Sequence, residues 1–249
     1  MIFAAGLGTR LKPLTDNMPK ALVPVDGKPM LEHVILHLKE AGFDDITINI
    51  HYLGEQIIDF LRANNHFGVT IRISDELGEV LETGGGILKA KPLLCGDEPF
   101  LVHNADILTD VDLRSLYNRH LQSSADFTLL VGKRQTSRYL LFDQQMQLEG
   151  WLNKQTGELK PEGFMRQDSH EEFAFNGIHV MSPQVFKWME EYHWSGKFSL
   201  IPFYLSICHE ARIQAYPIQQ ECYWFDIGKM ETLRQAEEHM KALYHGERS

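Results

Sequence analysis

Cysteine is scarce in this sequence. Its three copies, Cys95, Cys208 and Cys222, are odd in number and include no CxxC pair, so neither a disulfide framework nor a thiolate zinc site can be assembled from them in the usual way. A reducing, cytoplasmic setting is expected. Long apolar runs are missing too. None approaches the ~18 residues of a membrane span, and the chain does not open on a basic segment followed by an apolar stretch and a cleavage site. Positive charge is short: 24 Lys and Arg face 34 Asp and Glu, a net charge of −10. With a sequence pI near 5.6, the chain lacks the basic face a nucleic-acid binder needs to displace counterions. Any phosphate it binds must be met by a few placed cations. His33 and His37 stand at i, i+4 but without the glutamate of an HExxH motif, and they read as surface residues. No local signature of a Ser-His-Asp triad accompanies the 12 histidines.

What is present suits one core. A chain of 249 residues, 43% hydrophobic, can bury a sizeable interior without staples. Apolar β-branched bursts alternate with amphipathic stretches, the rhythm of a parallel sheet with crossover helices. Strands are expected at residues 1–4, 46–50, 69–73, 100–103, 126–131, 173–181 and 213–216, with a hairpin over 138–151 around Asp143. A helical stripe runs through Leu31, Val34, Ile35, Leu38 and Ala41, and Gly42 stands where a left-handed residue would end it. Ile57, Ile58 and Leu61 mark a second helix, two more are expected near 183–192 and 198–208, and Met230, Leu233, Ala236, Met240 and Leu243 mark the last. Trp188, Tyr192 and Trp194 read as packing residues. Between Thr9 and Pro29 lie Pro13, Pro19, Pro24 and Pro29, which forbid a regular helix and predict a long loop. Residues 153–172 are polar, carry Gly157, Pro161 and Gly163, and read as loop or insertion.

Chemistry concentrates where strands end. The first strand runs into Ala4-Ala5-Gly6-Leu7-Gly8-Thr9-Arg10, whose glycines let backbone N–H groups approach an anion closely. The segment is neither a dinucleotide fingerprint, because Leu11 replaces the third glycine, nor a Walker A loop. Its weight comes from two cations on a proline-stiffened loop: Arg10, a fork suited to phosphate oxygens, and Lys20, a mobile point charge. Asn104-Ala105-Asp106 follows the strand at 100–103, at the carboxyl end where open α/β sheets bind ligands. By themselves Asp106 reads first as a turn or cap residue and Asp226 as a cap for the last helix, with metal ligation the other reading of each. The three glycines after Glu82-Thr83 suit either a flexible linker or bare backbone on which a flat ring can lie. Asn176 reads as an edge-strand asparagine or a hydroxyl ligand.

The run Ala5 to Arg10 with Pro13, Thr15, Pro19 and Lys20 resembles the signature of the sugar-1-phosphate nucleotidyltransferases. Further matches are Leu81-Glu82-Thr83-Gly84-Gly85-Gly86, Asn104-Ala105-Asp106, Phe175-Asn176-Gly177-Ile178 and Trp224-Phe225-Asp226-Ile227-Gly228, so the resemblance spans the chain. It is strongest to the compact bacterial N-acetylmuramate 1-phosphate uridylyltransferases. Such relatives usually carry a lysine ahead of the first strand, which implies that this chain begins two or three residues into the pattern.

The resemblance implies a single three-layer α/β/α domain over residues 1–249 with a mixed, mainly parallel sheet. Its nucleotide-binding half would cover about 1–110 and its sugar-binding half about 111–249. The implied reaction is Mg²⁺-dependent transfer of a nucleotidyl group from an NTP, UTP by preference, to a sugar 1-phosphate such as N-acetylmuramic acid 1-phosphate. Arg10 and Lys20 would be catalytic, Asp106 and Asp226 would hold Mg²⁺, and the nucleotide would meet Ala4, Ala5, Gly6, Gly8, Thr9, Arg10, Glu82, Thr83, Gly84, Gly85 and Asn104. Asn176 would bind the sugar. Lys154, in Trp151-Leu152-Asn153-Lys154, would stand in for the lysine of the family's Glu-Lys pair, whose glutamate is missing. Ala105 stands where the family usually has glycine. The partners would be NTP and sugar 1-phosphate, with no nucleic acid and no membrane, in a monomer or homodimer. GTP with mannose 1-phosphate, or CTP with an alcohol phosphate, is the nearest alternative. A non-catalytic NDP-sugar sensor is another, against which the joint presence of Lys20, Asp106 and Asp226 speaks.

Overall fold

A computed structural model describes residues 1–76, 78–94 and 96–246. Cys95 lies outside them, while Cys208 and Cys222 are free thiols. In chain order the elements are β1 (Ile2–Phe3), β2 (Pro24–Val25), β3 (Lys28–Pro29), α1 (Met30–Glu40), β4 (Asp45–Ile50), α2 (Gly54–Ala63), β5 (Thr70–Asp75), α3 (Glu82–Leu94), β6 (Phe100–Asn104) and β7 (Ile107–Thr109). There follow α4 (Leu113–Gln122), β8 (Phe127–Gly132), β9 (Arg138–Phe142), β10 (Leu148–Asn153), β11 (Leu159–Lys160), β12 (Glu171–Met181), α5 (Val185–Glu191), α6 (Leu200–Ile207), β13 (Ile213–Pro217), β14 (Trp224–Asp226) and α7 (Met230–Gly246). The chain forms two compact units from interleaved segments: Met1–Val80, His103–Leu113 and Glu221–Ser249, and then Leu81–Val102 with Arg114–Gln220.

The first unit is built on parallel pairing. Ile2 and Phe3 of β1 pair with Ile48 and Asn49 of β4 on one side and with His103 and Asn104 of β6 on the other, and β5 adds beyond β4. Residues Ile46 to Ile50 are all buried, as expected for a parallel strand covered on both faces. Helix α1 buries Leu31, Val34, Ile35 and Leu38, and Gly42 ends it at φ 94 with its N–H donating to the Lys39 carbonyl (2.9 Å). In α2, Ile57 and Leu61 are buried while Ile58 is half-buried. A separate apolar cluster gathers Leu11, Val23, Val25, Met30, Leu108, Ile227 and the α7 residues Leu233, Ala236 and Met240. The α7 stripe stops there, because Leu243 is 45% exposed.

The proline-rich segment carries more structure than its prolines suggest. It folds into three short 3-10 turns, Thr9–Leu11, Leu14–Asp16 and Lys20–Leu22, which prolines tolerate because they require few backbone donors. It then closes the β2–β3 hairpin over Asp26-Gly27, both at positive φ, the geometry a two-residue turn requires.

In the second unit β12 pairs antiparallel with β8 and β9, β9 with β10, and β10 with β11, while β13 runs parallel to β8. The hairpin around Asp143 is present. The polar segment 153–172 is not all loop, since it supplies β11. The class is α/β with parallel and antiparallel pairing: the first unit holds the parallel ladder of β1, β4 and β5, and the second holds most of the antiparallel pairs. Among the described residues no helix is long and apolar enough to cross a membrane.

Candidate active site

The glycine loop starts where β1 stops. The N–H of Ala4 leaves the ladder and donates to Asn49 Oδ1 (2.7 Å), so this amide is already committed within the protein. Ala5 is buried, Gly6 and Leu7 are exposed, and open space surrounds the place a Cβ on Gly6 would take. Gly8 sits at φ 65, and a Cβ there would lie 2.9 Å from Thr15 Cγ2 and 3.0 Å from Lys20 Cβ, so both backbone and space require glycine. The buried Thr15 hydroxyl donates to the Gly8 carbonyl (2.8 Å), which also accepts from the Leu11 N–H (2.9 Å). Thr9 and Arg10 are thereby held exposed on the first 3-10 turn, pinned by the buried Leu11.

Lys20, on the third turn, is bonded to the Asp106 carboxylate with both side chains largely buried. Asp106 lies just before β7, which pairs antiparallel with β14 so that Ile107 faces Asp226, and the Ile227 N–H donates to the Asp106 carbonyl (2.8 Å). Two aspartates from distant segments thus end up at one end of the β7–β14 pair, Asp226 in β14 and Asp106 just ahead of β7. Beside them, a Cβ on Gly228 would come within 2.6 Å of both Arg10 Nη2 and Asp226 Oδ1, which places the guanidinium next to Asp226. Ala105 is buried, its N–H donates to the Phe3 carbonyl (3.0 Å), and it is not at positive φ. Alanine therefore serves where the family has glycine. Asn104 closes β6, and its carbonyl meets Nδ1 of His103 (2.8 Å), a buried ring whose pKa burial pushes down to about 3.

Arg10, Lys20, Asp106 and Asp226 therefore belong to one unit, with each cation beside a carboxylate. Among the described residues no group of three or more acidic, His or Cys side chains could hold a metal alone. Two hard carboxylates are nevertheless what Mg²⁺ commonly takes from a protein when phosphate and water complete its shell, so the donor set fits that ion.

The other expected residues lie in the second unit. Here the triple glycine packs at the start of α3 against the protein's own chain. Gly84 and Gly85 are buried, and both N–H groups donate to the Phe198 carbonyl (2.8 and 3.1 Å). A Cβ would fall 2.2 Å from the Phe198 ring at Gly84 and 2.3 Å from the Gly196 carbonyl at Gly85. The glycines admit the protein's own chain. Glu82, at φ 60, accepts from the Ser199 hydroxyl, and Thr83 Oγ1 accepts from the Leu200 N–H (2.9 Å).

Asn176 is not on an edge. It is buried in β12, in the register shift between Phe175 and His179 of the pairing with β8 and next to Gly177 (φ 77), and its Oδ1 accepts from Arg134 Nε (3.2 Å). Arg134 also donates to the Phe175 carbonyl (3.0 Å). Sequence reasoning passed over it, since a lone arginine after a strand carries no periodic signal. Lys154 pairs with Glu172 (2.5 Å), which also meets Arg166 (2.7 Å), and lies over the Tyr139 ring at 4.6 Å. The carboxylate beside this lysine is thus delivered by β12 and not by its neighbour in the chain, Asn153.

His33 and His37 are also corrected. Both are half-buried: His33 Nε2 contacts the Val25 carbonyl (3.0 Å), and His37 packs edge-on to His103 with its pKa lowered by burial. Trp194 packs on Phe198 at 4.9 Å and Trp188 on Tyr192 at 6.1 Å, as packing residues do.

Residues 1–242 match the family described as Nucleotidyl transferase. The chain is 50% identical over 117 residues to an N-acetylmuramate alpha-1-phosphate uridylyltransferase of Neisseria meningitidis, a match spanning 47% of this chain and half the length of that relative. It is 30% identical over 243 residues to an N-acetylmuramate alpha-1-phosphate uridylyltransferase of Caulobacter vibrioides, covering 95% of this chain and 94% of the other. In fold it is similar to the crystal structure of HddC from Yersinia pseudotuberculosis complexed with GMP-PN, with a TM-score of 0.73, 24% identity and coverage of 96% and 97%. With residues 1–242 matching that family and the Caulobacter relative 30% identical over nearly the whole of both chains, this chain belongs to the nucleotidyl transferase family, among the sugar-1-phosphate nucleotidyltransferases.

Proposed function

We propose that the protein transfers a uridylyl group from UTP to N-acetylmuramate 1-phosphate, with Mg²⁺ as cofactor. The observation that carries the chemistry is the meeting of Arg10, Lys20, Asp106 and Asp226 from three separate segments in one unit. Similarity to the Neisseria and Caulobacter proteins supports the choice of base and sugar. A phosphate oxygen of the sugar phosphate forms a bond to the α-phosphorus while the bond from that phosphorus to the bridging oxygen breaks and pyrophosphate leaves. The nucleophile is already an anion, so no covalent enzyme intermediate and no general base are needed, and catalysis reduces to positioning and charge stabilisation. Gly6 and Gly8 bring backbone amides to the phosphates, Arg10 holds the leaving pyrophosphate, and Lys20 exchanges Asp106 for the charge that builds at the α-phosphate. Asp106 and Asp226 would hold Mg²⁺, which supplies positive charge to phosphate oxygens. Asn176, oriented by Arg134, binds sugar hydroxyls, and Lys154 serves the sugar phosphate.

A grid of UTP, GTP, CTP and dTTP against sugar 1-phosphates, scored by Mg²⁺-dependent pyrophosphate release, tests this reading. UTP with N-acetylmuramate 1-phosphate should be fastest. A faster GTP and mannose 1-phosphate pair would overturn the substrate assignment, and no release from any pair would return the sensor reading. Lys20→Ala should lower kcat by about 10²-fold or more while shifting the KM for UTP far less, the mark of a charge used in the transition state. Normal turnover would remove Lys20 from the mechanism.

A further inference from the structure

Asn49 and Glu76 are polar, buried and absent from every motif in the sequence. Asn49 is 2% exposed and Glu76 1%. Asn49 lies in β4 opposite Phe3, the last residue of β1. The next N–H, that of Ala4, is taken by Asn49 Oδ1 at 2.7 Å and not by the backbone of β4. On its other side Asn49 Nδ2 donates to Glu76 Oε1 at 2.6 Å. Glu76 follows β5, with its own N–H donating to the Ile50 carbonyl (2.9 Å) and its carbonyl meeting His51 Nδ1 (2.7 Å).

We propose that Asn49 and Glu76 are positioning residues for the glycine loop. An asparagine amide has two orientations, and only one presents oxygen to the Ala4 N–H. Glu76 Oε1 accepts from Asn49, so Glu76 selects the orientation that turns the Asn49 NH₂ toward itself and the oxygen toward Ala4. Once a side chain in place of a strand backbone takes that N–H, β1 ends, and the chain departs toward Gly6 and Gly8 in a set direction. The loop that meets the phosphates is then aimed by a chain of buried hydrogen bonds, which are costly to leave half-made. Thr15 holds the far end through the Gly8 carbonyl. The proposal rests on the nucleotidyl-transfer reading for its kinetic consequence but not for its geometry.

The test uses the full-length protein and two readouts. Asn49→Ala should raise the KM for UTP by about tenfold and lower kcat, with the KM for the sugar phosphate changed less than about twofold, since a displaced phosphate loop is felt on the nucleotide side. Amide hydrogen exchange at Ala4 should accelerate at least about tenfold in the same variant while the β4 amides Ile46 and Ile48 keep their protection. Asn49→Asp faces one carboxylate with another and should resemble Asn49→Ala. Adding Glu76→Gln restores a donor opposite an acceptor, and the double variant should recover both the UTP KM and the Ala4 protection. Unchanged Ala4 exchange in folded Asn49→Ala, or a double variant no better than Asn49→Asp, would overturn the proposal. A wild-type protein that releases no pyrophosphate would overturn the functional reading instead, with the exchange arm still deciding the positioning role.

Discussion

Gly228 shows how much chemistry one missing side chain makes room for. Its backbone is ordinary, yet a Cβ would come within 2.6 Å of both Arg10 Nη2 and Asp226 Oδ1. Both neighbours are the far ends of side chains and not backbone atoms, so Gly228→Ala should cost little stability, within about 1 kcal/mol. The added Cβ moves a cation and a metal-ligand candidate off station, and activity should fall by about 10²-fold, as small misplacements of reacting groups do. Urea midpoints and pyrophosphate release measured on one preparation check the two halves together. An active, stable variant would mean that Arg10 and Asp226 are not placed by this contact. Lys20 carries a similar lesson: its bond to Asp106 holds the ammonium where phosphate chemistry would need it, and neutralises a carboxylate that would otherwise be half-buried alone.

At the scale of elements, the first turn of α3 is where local reading and tertiary structure part. Three glycines in a row cost conformational entropy, and their use here is to let residues 196–198 lie against the helix start, with Phe198 accepting from two of its amides. Gly85→Ala drives a methyl to 2.3 Å from the Gly196 carbonyl, a backbone atom that cannot rotate away. It should destabilise by about 1–3 kcal/mol and read out as a lowered urea midpoint. A neutral substitution would show that the approach is looser than the structure has it. Helices α1 and α2 were legible because their apolar residues repeat with the helical period and Gly42 marks an end. Helix α4 was not, since Leu113, Leu116 and His120 are its buried face and a histidine does not read as apolar. Strands β7 and β14, three residues each, carry no period at all, yet their pairing joins the two aspartates.

For the whole molecule, titration sets an acid limit. Burial holds His103 down to a pKa of about 3 and His120 to about 4. His120 rests between the Thr128 and Ser182 hydroxyls, and Asp126 opposes the shift only partly. Both rings are neutral in the folded state at neutral pH, whereas in the unfolded chain they titrate near 6.5. Their contribution is therefore complete above about pH 6.5 and is lost as pH falls toward 4 and 3, at about 1.4 kcal/mol per pH unit for each ring fully protonated on unfolding. The urea midpoint should fall between pH 6.5 and 5, and His120→Gln should flatten the fall. A midpoint independent of pH over that window would contradict the burial of these rings. At the same scale, Arg10, Lys20, Asp106 and Asp226 are gathered in one unit whose last segment begins only at Glu221, so the phosphate site proposed above is complete only when that segment has joined.

The sequence by itself determined the strand rhythm, the helices with an apolar period, the glycine loop with its two cations, and the family. Each of these is written in neighbouring residues: glycine and proline restrict backbone angles locally, and periodicity shows over one or two turns. Only the tertiary structure decided which residues meet. That Asp226 returns to Asp106, that Glu172 supplies the partner of Lys154, that Arg134 holds Asn176, and that Asn49 links Ala4 to Glu76 are all contacts between residues far apart in the chain. They involve single polar side chains with no repeating pattern. Their selection comes from strand order and register, which set side chains opposite one another only after the chain has closed on itself.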